Sequence, residues 1–416
     1  MQNSKDHPLI IVGGGIGGLT AALTLAKKNK YVKVLEQAPE FLEVGAGIQI
    51  AANATRVLDK IGVLERLKEI AVFPKRLVLM DAFTGKELSS IDFGNDYIER
   101  YGAPYLVLHR ADLQNSLYET AKENGYIELH TNQQIVDTEQ NEHGVKVVAA
   151  NGQVHTGSAV IGADGIWSKQ RQKLIQDDVV CSQYVAYRGT IEMSQMGDSV
   201  NMDDVYMWIG PNLHLVQYPV RSRKLYNQVV VFKSYKYTPE IEHTTDWGTP
   251  EEMETVFNGT CDLVQHAISF ISRQRRWPMY DRNPINNWTD GKLTLLGDAA
   301  HPMLQYLAQG GCQAIEDASY LAEMIEQNDE IEEAFKKYQE TRIPRGNFIQ
   351  SSARTWGEII HATKKETILL RNNILSNRNN FDYIDEFHGY KAEKGFVEYN
   401  DNQHKEQKNN ALIGND

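Results

Sequence analysis

The sequence predicts an α/β fold: a parallel sheet carrying helices, with a second, sheet-based lobe inserted into it and helices at the C-terminal end. Three observations predict it. A short all-apolar run at Leu9–Val12 leads through Gly13-Gly14-Gly15-Ile16-Gly17-Gly18 into the helix-favouring stretch Leu19 to Lys28. Composition turns almost wholly β between about 180 and 235. Strand and helix patterns then resume at Leu293–Leu296 and Gly310–Gln327.

The elements follow in order. Leu9, Ile10, Ile11 and Val12 suit a strand buried on both faces, and Tyr31–Leu35 returns as a second strand ending at Glu36. The short connections fit a right-handed βαβ crossover. Residues 76–82, 90–93, 127–130 and 145–149 read as strands, and 111–123 as a helix entered after His109-Arg110. The β-rich stretch contributes Val185–Thr190, Val205–Ile209, Leu213–Tyr218 and Val229–Phe232. Tyr399 to Asp416 is almost entirely polar and is expected to fray.

Composition excludes whole classes of function. The 416 residues carry 43 Lys+Arg against 55 Asp+Glu, a formal charge of −12 that repels phosphate backbones and anionic lipid. No nucleic-acid partner is expected. Cys181, Cys261 and Cys312 lie far apart with no C-x-x-C pair, so neither a metal site nor a dithiol centre is expected. The apolar run before the first glycines is too short for a signal peptide, and nowhere is an apolar stretch of spanning length. A soluble cytoplasmic protein is expected.

The glycine motif fits a dinucleotide fingerprint in context as well as in letters. Gly13 permits the tight turn, Gly15 admits a pyrophosphate, and Gly18 allows close helix–strand packing. Glu36 stands at the end of the second strand, where a carboxylate can bond ribose hydroxyls and disfavours a 2′-phosphate. A chance acid after a glycine turn is the competing reading, and the flanking strand and helix count against it. Two later turns follow apolar strands: Gly162-Ala163-Asp164-Gly165, and Gly297-Asp298-Ala299-Ala300-His301-Pro302 running through Gln309-Gly310-Gly311 into a helix. Asp298 could bond a sugar-like chain, and the amides at Gly310 and Gly311 could face an electron-rich ring edge. In isolation each is only a tight turn.

Together these motifs resemble the group A flavoprotein aromatic hydroxylases, closest to their salicylate hydroxylase and 3-hydroxybenzoate 6-hydroxylase branch. The resemblance covers nearly the whole chain to about residue 390. It implies a p-hydroxybenzoate hydroxylase-like, FAD-binding Rossmann-type fold with an inserted β-sheet substrate lobe. The FAD-binding domain would comprise 1–75, 104–175 and 280–345, and the lobe 76–103 and 176–279. A C-terminal helical segment would follow at 346–395, then a polar tail at 396–416. Non-covalent FAD would be held by Gly15, Glu36, Arg110 and Asp298, with Gln49 of Gly45-Ala46-Gly47-Ile48-Gln49 near the flavin. Asp164 and Gly165 would touch FAD and transiently bound NADH or NADPH, since no second glycine fingerprint exists. A homodimer is implied by resemblance alone.

The branch is suggested by Pro104–Arg110, Leu213–Pro219, Pro302–Leu307 and Arg354–Glu358. The chemistry implied is hydroxylation of a phenolic aromatic acid by a flavin hydroperoxide formed with O2. A phenolate attacks such an oxygen far better than a phenol, so a base beside the substrate hydroxyl is useful, and histidine suits it. His214 is nominated as that base, with near-neutral pKa, and Gln305 as the residue orienting the same hydroxyl. Tyr105 and Tyr218 would bond a ring carboxylate, and Pro302 would line the substrate site. A satisfied histidine within a strand, and core tyrosines with one bonded hydroxyl, are the competing readings. The expected reaction is 3-hydroxybenzoate 6-hydroxylation, with salicylate, hydroxynicotinate and non-hydroxylating flavoproteins of the same fold as alternatives. A halogenase lacks support because no Trp-x-Trp occurs, and a disulfide reductase because no cysteine pair does.

Overall fold

In the computed structural model, residues 3–41, 46–195 and 201–391 are described. Gly45 and the polar tail at 396–416 lie outside the described residues.

The apolar run forms β1 (Leu9–Val12), buried throughout, and the glycines open α1 (Ile16–Ala26). β1 pairs in parallel with β2 (Val32–Leu35) on one side and with the strand Ala159–Gly162 on the other. The six-stranded sheet is completed by Ile127–His130 at one edge and by Leu293–Leu295 and Thr289–Asp290 at the other. All its pairings are parallel except the last. Burial on both faces explains why these strands read as continuous apolar runs. Each fully buried Leu or Ile contributes roughly 1.5–3 kcal/mol relative to exposure.

Two glycines are fixed by this packing. Gly13 has φ of +110°, and a Cβ there would stand 2.3 Å from the Ala163 carbonyl oxygen. At Gly18 a Cβ would stand 1.9 Å from the Gly13 carbonyl oxygen, so only glycine lets helix and turn close together.

The β-rich region forms β3 (Val180–Glu192) and an antiparallel meander of β4 (Asp204–Gly210), β5 (Leu213–Val220) and β6 (Leu225–Lys233), with β3 pairing antiparallel to β6. These lie in a seven-stranded sheet with Trp277–Asp281 at one edge, and Arg76–Asp81 and Glu87–Asp92 at the other. Register sets His214 opposite Ile209 on β4 and Val231 on β6.

Two helices close the fold. α2 (Gly310–Gln327) packs along α1, with the Thr24 hydroxyl donating to the Ala318 carbonyl at 3.0 Å. α3 (Ile331–Ile360) is one 30-residue helix with Pro344 inside, and it runs across the boundary expected at 345/346. Close to that boundary a fully buried ionic network clamps it to α2. Arg342 bonds Glu316 and Asp317, each at 2.7 Å, and His301 bonds Asp317 at 2.6 Å. A shorter helix, α4 (Lys365–Ser376), follows. Among the described residues no helix is long and apolar enough to cross a membrane.

Candidate active site

One large cavity, about 1340 Å3, runs between the parallel sheet and the antiparallel lobe. It exceeds the roughly 300–1,000 Å3 of a pocket for a drug-sized ligand, as room for a dinucleotide beside a second small molecule requires. At one end it is lined by Gly13, Gly15, Glu36, Arg110, Asp164, Gly165, Asp298, Gly310 and Gly311, and at the other by Arg188, His214, Tyr218 and Gln305.

The first end is a dinucleotide cradle. Gly15 precedes α1, and nothing lies within 4 Å of where its Cβ would stand, so the helix N-terminus opens directly on the cavity. The Glu36 carboxylate accepts the Gly14 amide at 2.6 Å and the Ala38 amide at 2.8 Å, which anchors it at the rim. Asp298 lies deep in the fold, but its side chain is open to the cavity. Burial pushes its carboxyl pKa up, opposed by the Arg110 charge, and a Cβ on Gly310 would lie 4.0 Å from its Oδ1. A cavity-facing carboxylate with no salt-bridge partner among the described residues suits the hydroxyls of a ribityl chain. These residues fit FAD. Gly18 lies behind the cradle in the packing role expected of it.

Asp164 does more local work than expected. Its carboxylate accepts the Ser168 hydroxyl at 2.5 Å and the Lys169 and Gln170 amides at 2.8 and 3.2 Å, capping the following helical turn. The residue still lines the cavity.

At the other end, β5 carries His214 into the cavity wall. Its Nδ1 lies 2.7 Å from Nε2 of His361, and the two rings stack at 5.0 Å. Burial pushes the His214 pKa down to about 3, far below the near-neutral base expected from sequence. The physical reason is complete enclosure with no carboxylate against the ring.

Gln305 Oε1 accepts from Arg188 Nη2 at 2.7 Å. Arginine offers only donors, so the Gln305 amide oxygen must face it and the NH2 group is directed elsewhere. Arg188 is itself half-enclosed in the wall with Nε buried and unbonded, and no acidic side chain pairs with it among the described residues. Burial, then the Arg110 charge, lower its pKa.

Tyr105 and Tyr218 are both buried, and burial raises both phenol pKa values. Tyr105 donates to Gln49 Oε1 at 2.8 Å and stacks on Phe93, centroids 4.1 Å apart. Tyr218 lies against Gly47, where a Cβ would stand 2.6 Å from its hydroxyl oxygen. Pro302 is buried but is not part of the cavity wall; its carbonyl accepts from Gln350 at 2.7 Å. Its neighbours Met303 and Gln305 line the cavity instead.

Sequence reasoning missed Arg188 and His361. The first had a signal: one charged residue directly after the apolar run Val185–Tyr187 within a strand. The second had none, because 147 residues separate it from its partner ring.

Comparison with known proteins agrees with this cradle. The FAD binding domain family matches residues 6–350. The 3-hydroxybenzoate 6-hydroxylase of Polaromonas naphthalenivorans is 40% identical over 91% of this chain and 94% of that protein. The chain belongs to the FAD-binding monooxygenase family. It is an FAD-dependent aromatic monooxygenase. Another relative of this monooxygenase is the 3-amino-4-hydroxybenzoate 2-monooxygenase PtmB3 of Streptomyces platensis, 32% identical over 94% of this chain and 98% of that protein. Among solved structures, HpxO of Klebsiella pneumoniae, complexed with FAD and uric acid, superposes with a TM-score of 0.79 at 23% identity. That likeness covers 91% of this chain and 95% of the other, and it shows the monooxygenase's fold.

Proposed function

We propose that this monooxygenase hydroxylates 3-hydroxybenzoate at C6, para to the hydroxyl, giving 2,5-dihydroxybenzoate, with NADH or NADPH as transient reductant. The observation that carries the reading is one cavity joining the FAD cradle to an imidazole, an oriented amide and a half-buried guanidinium. The identity to a 3-hydroxybenzoate 6-hydroxylase over nearly the full chain supports the choice of substrate.

FAD supplies the redox chemistry that reduces O2 and presents one of its oxygen atoms to the aromatic ring. The chain's own residues prepare the substrate for it. His214 Nε2 takes the phenol proton, and the NH2 of Gln305, turned away from Arg188, donates to the resulting oxyanion. An imidazole with a pKa of about 3 is a weak base alone, so the phenolate depends on the positive charges around it. Arg188 and the Arg110 guanidinium supply that charge, and Arg188 with the Tyr218 hydroxyl receives the ring carboxylate. Arg188, which no acidic side chain pairs among the described residues, is the expected mark of a site for an anionic ligand.

The test is product analysis. FAD-loaded protein supplied with NADH, O2 and 3-hydroxybenzoate should yield 2,5-dihydroxybenzoate by mass and regiochemistry. Reductant consumption with peroxide as the sole product would refute the assignment. Salicylate, 6-hydroxynicotinate and 3-amino-4-hydroxybenzoate serve as competing substrates in the same assay.

A further inference from the structure

Behind His214, on the side away from the cavity, sits a second imidazole that the reaction above does not use. His361 follows the last turn of α3, held by its backbone amide on the Gly357 carbonyl and by its carbonyl on the Asn212 amide. Its ring is clasped from three directions. Tyr184 of β3 stacks on it at 4.5 Å, Tyr306 meets it edge-on at 5.1 Å, and His214 stacks at 5.0 Å with the 2.7 Å nitrogen–nitrogen contact. From α4, Arg371 bonds the adjacent Ile360 carbonyl at 2.9 Å.

From this geometry, and resting on the reading of His214 as the base, we propose that His361 is a positioning residue. It accepts the Nδ1–H of His214 and so leaves Nε2 bare to take the phenol proton. One proton lies between the two rings, and its position decides the reaction. If it belongs to His214 Nδ1, then Nε2 is an acceptor and can deprotonate a phenol. Were His361 an imidazolium, it would have to donate, His214 Nδ1 would accept, and the cavity-facing nitrogen would carry the hydrogen.

A neutral His361 carrying its hydrogen on Nε2 would give the same reversed result; the surroundings oppose the charged form, and the substrate opposes the neutral one. Desolvation, then the neighbouring His214, then the Arg371 charge hold the His361 pKa down to about 2. The other groups against the pair are the phenols of Tyr184 and Tyr306, which are neutral; the carboxylates that bear on the cluster, Glu358 and Asp281, act on Tyr184 and Tyr306 respectively. An incoming phenol, itself a donor, selects the tautomer with bare Nε2. An acceptor at Nδ1 also raises the basicity of Nε2, which His214 needs because burial lowers it.

In the transfer itself the phenol O–H bond breaks and the Nε2–H bond forms. The positive charge then rests on His214 with its Nδ1–H shared toward His361.

Two variants and one spectrum test the proposal. His361→Leu removes the acceptor; His361→Gln restores one through Oε1 in nearly the same volume. With whichever phenolic acid the wild-type enzyme hydroxylates, His361→Leu should lower kcat on the order of 10²-fold with KM little changed. Its rate should also rise with pH toward the ionisation of the free phenol. His361→Gln should recover most of kcat and the wild-type pH profile. Wild-type rates in both variants, or equal losses in both, would overturn the proposal. If the leucine variant fails to fold, nitrogen-15 spectra of histidine-labelled wild-type protein decide the matter. His214 should show a protonated Nδ1 and a bare Nε2, and the reverse tautomer sinks the proposal. Absence of hydroxylation in the wild type with every phenol tried refutes the functional reading instead, and the spectrum still reads the tautomer.

Discussion

Two polar clusters in this molecule contain much the same side chains and behave oppositely. Between α2 and α3, Arg342 and Arg345 meet Glu316 and Asp317, with His301, Asn53 and Gln313 completing the hydrogen bonds. In the cavity, His214 is buried, Arg188 half-buried and Asp298 open to the cavity, and among the described residues no salt bridge pairs them. The pKa directions record the difference. Burial opposes ionisation of Asp317, yet His301 and Arg342 hold it down to about 2, and Asp317 with Glu316 holds Arg342 well above its ordinary value. In the cavity every shift runs toward the neutral form: Asp298 up, Arg188 down, His214 down to about 3. The first cluster spends its charge on holding two helices together. The second keeps charge in reserve for ligands.

That contrast can be broken most severely at Arg342. Arg342→Met should strand two buried carboxylates and cost about 3–5 kcal/mol of unfolding free energy, read by denaturant titration of the FAD-loaded protein. The matched change in the cavity, Arg188→Met, should leave the denaturation midpoint unchanged or raised. It should weaken substrate binding instead, by about 2 kcal/mol or roughly 30-fold in KM for an aromatic carboxylate. Equal destabilisation by both would erase the distinction.

A smaller effect sharpens it at the cradle. Asp298→Asn alters a carboxylate that is open to the cavity, so the apoprotein should keep its thermal stability. FAD should bind about tenfold more weakly or worse, as charge-assisted hydrogen bonds to the cofactor are lost, measured by quenching of flavin fluorescence.

The mildest test is acid titration. The folded His214 pKa lies below its ordinary 6.5, so the unfolded chain binds the extra proton. Its stabilising contribution is complete above about pH 6.5 and fades as pH falls toward 3. Asp317, depressed from 3.8 to about 2, loses its contribution only between those values. His214→Asn should therefore flatten the stability curve between about pH 6 and 4 and leave the steeper loss below pH 4 in place.

Much of the fold was legible because local chemistry dictates it. The Leu9–Val12 run, the glycine turn and Glu36 needed no distant information, and the helix expected at Gly310–Gln327 has those bounds. The meander was legible too, though each strand extends beyond its apolar centre: β3 covers 180–192 where 185–190 was read. Polar strand ends carry no burial signal when they pair at the edge of a lobe. The three-stranded sheet of residues 135–157 was seen only at its central strand, 144–149, because its flanking strands are largely exposed and polar. The unbroken α3 carries Pro344 in its interior, where a proline removes one helical hydrogen bond.

The sequence by itself determined where a dinucleotide must lie, because a pyrophosphate requires a close-approaching backbone and a helix N-terminus, and both are written in adjacent residues. It also named His214, Gln305, Tyr105 and Tyr218 by resemblance. Only the tertiary structure decided what those side chains meet. The carbonyl-seeking guanidinium that turns Gln305, the glycine that admits Tyr218 and the imidazole that backs His214 come from residues 117 to 171 positions away. Such contacts arise when sheets and helices pack, since hydrogen-bond direction and desolvation depend on neighbours in space and not along the chain.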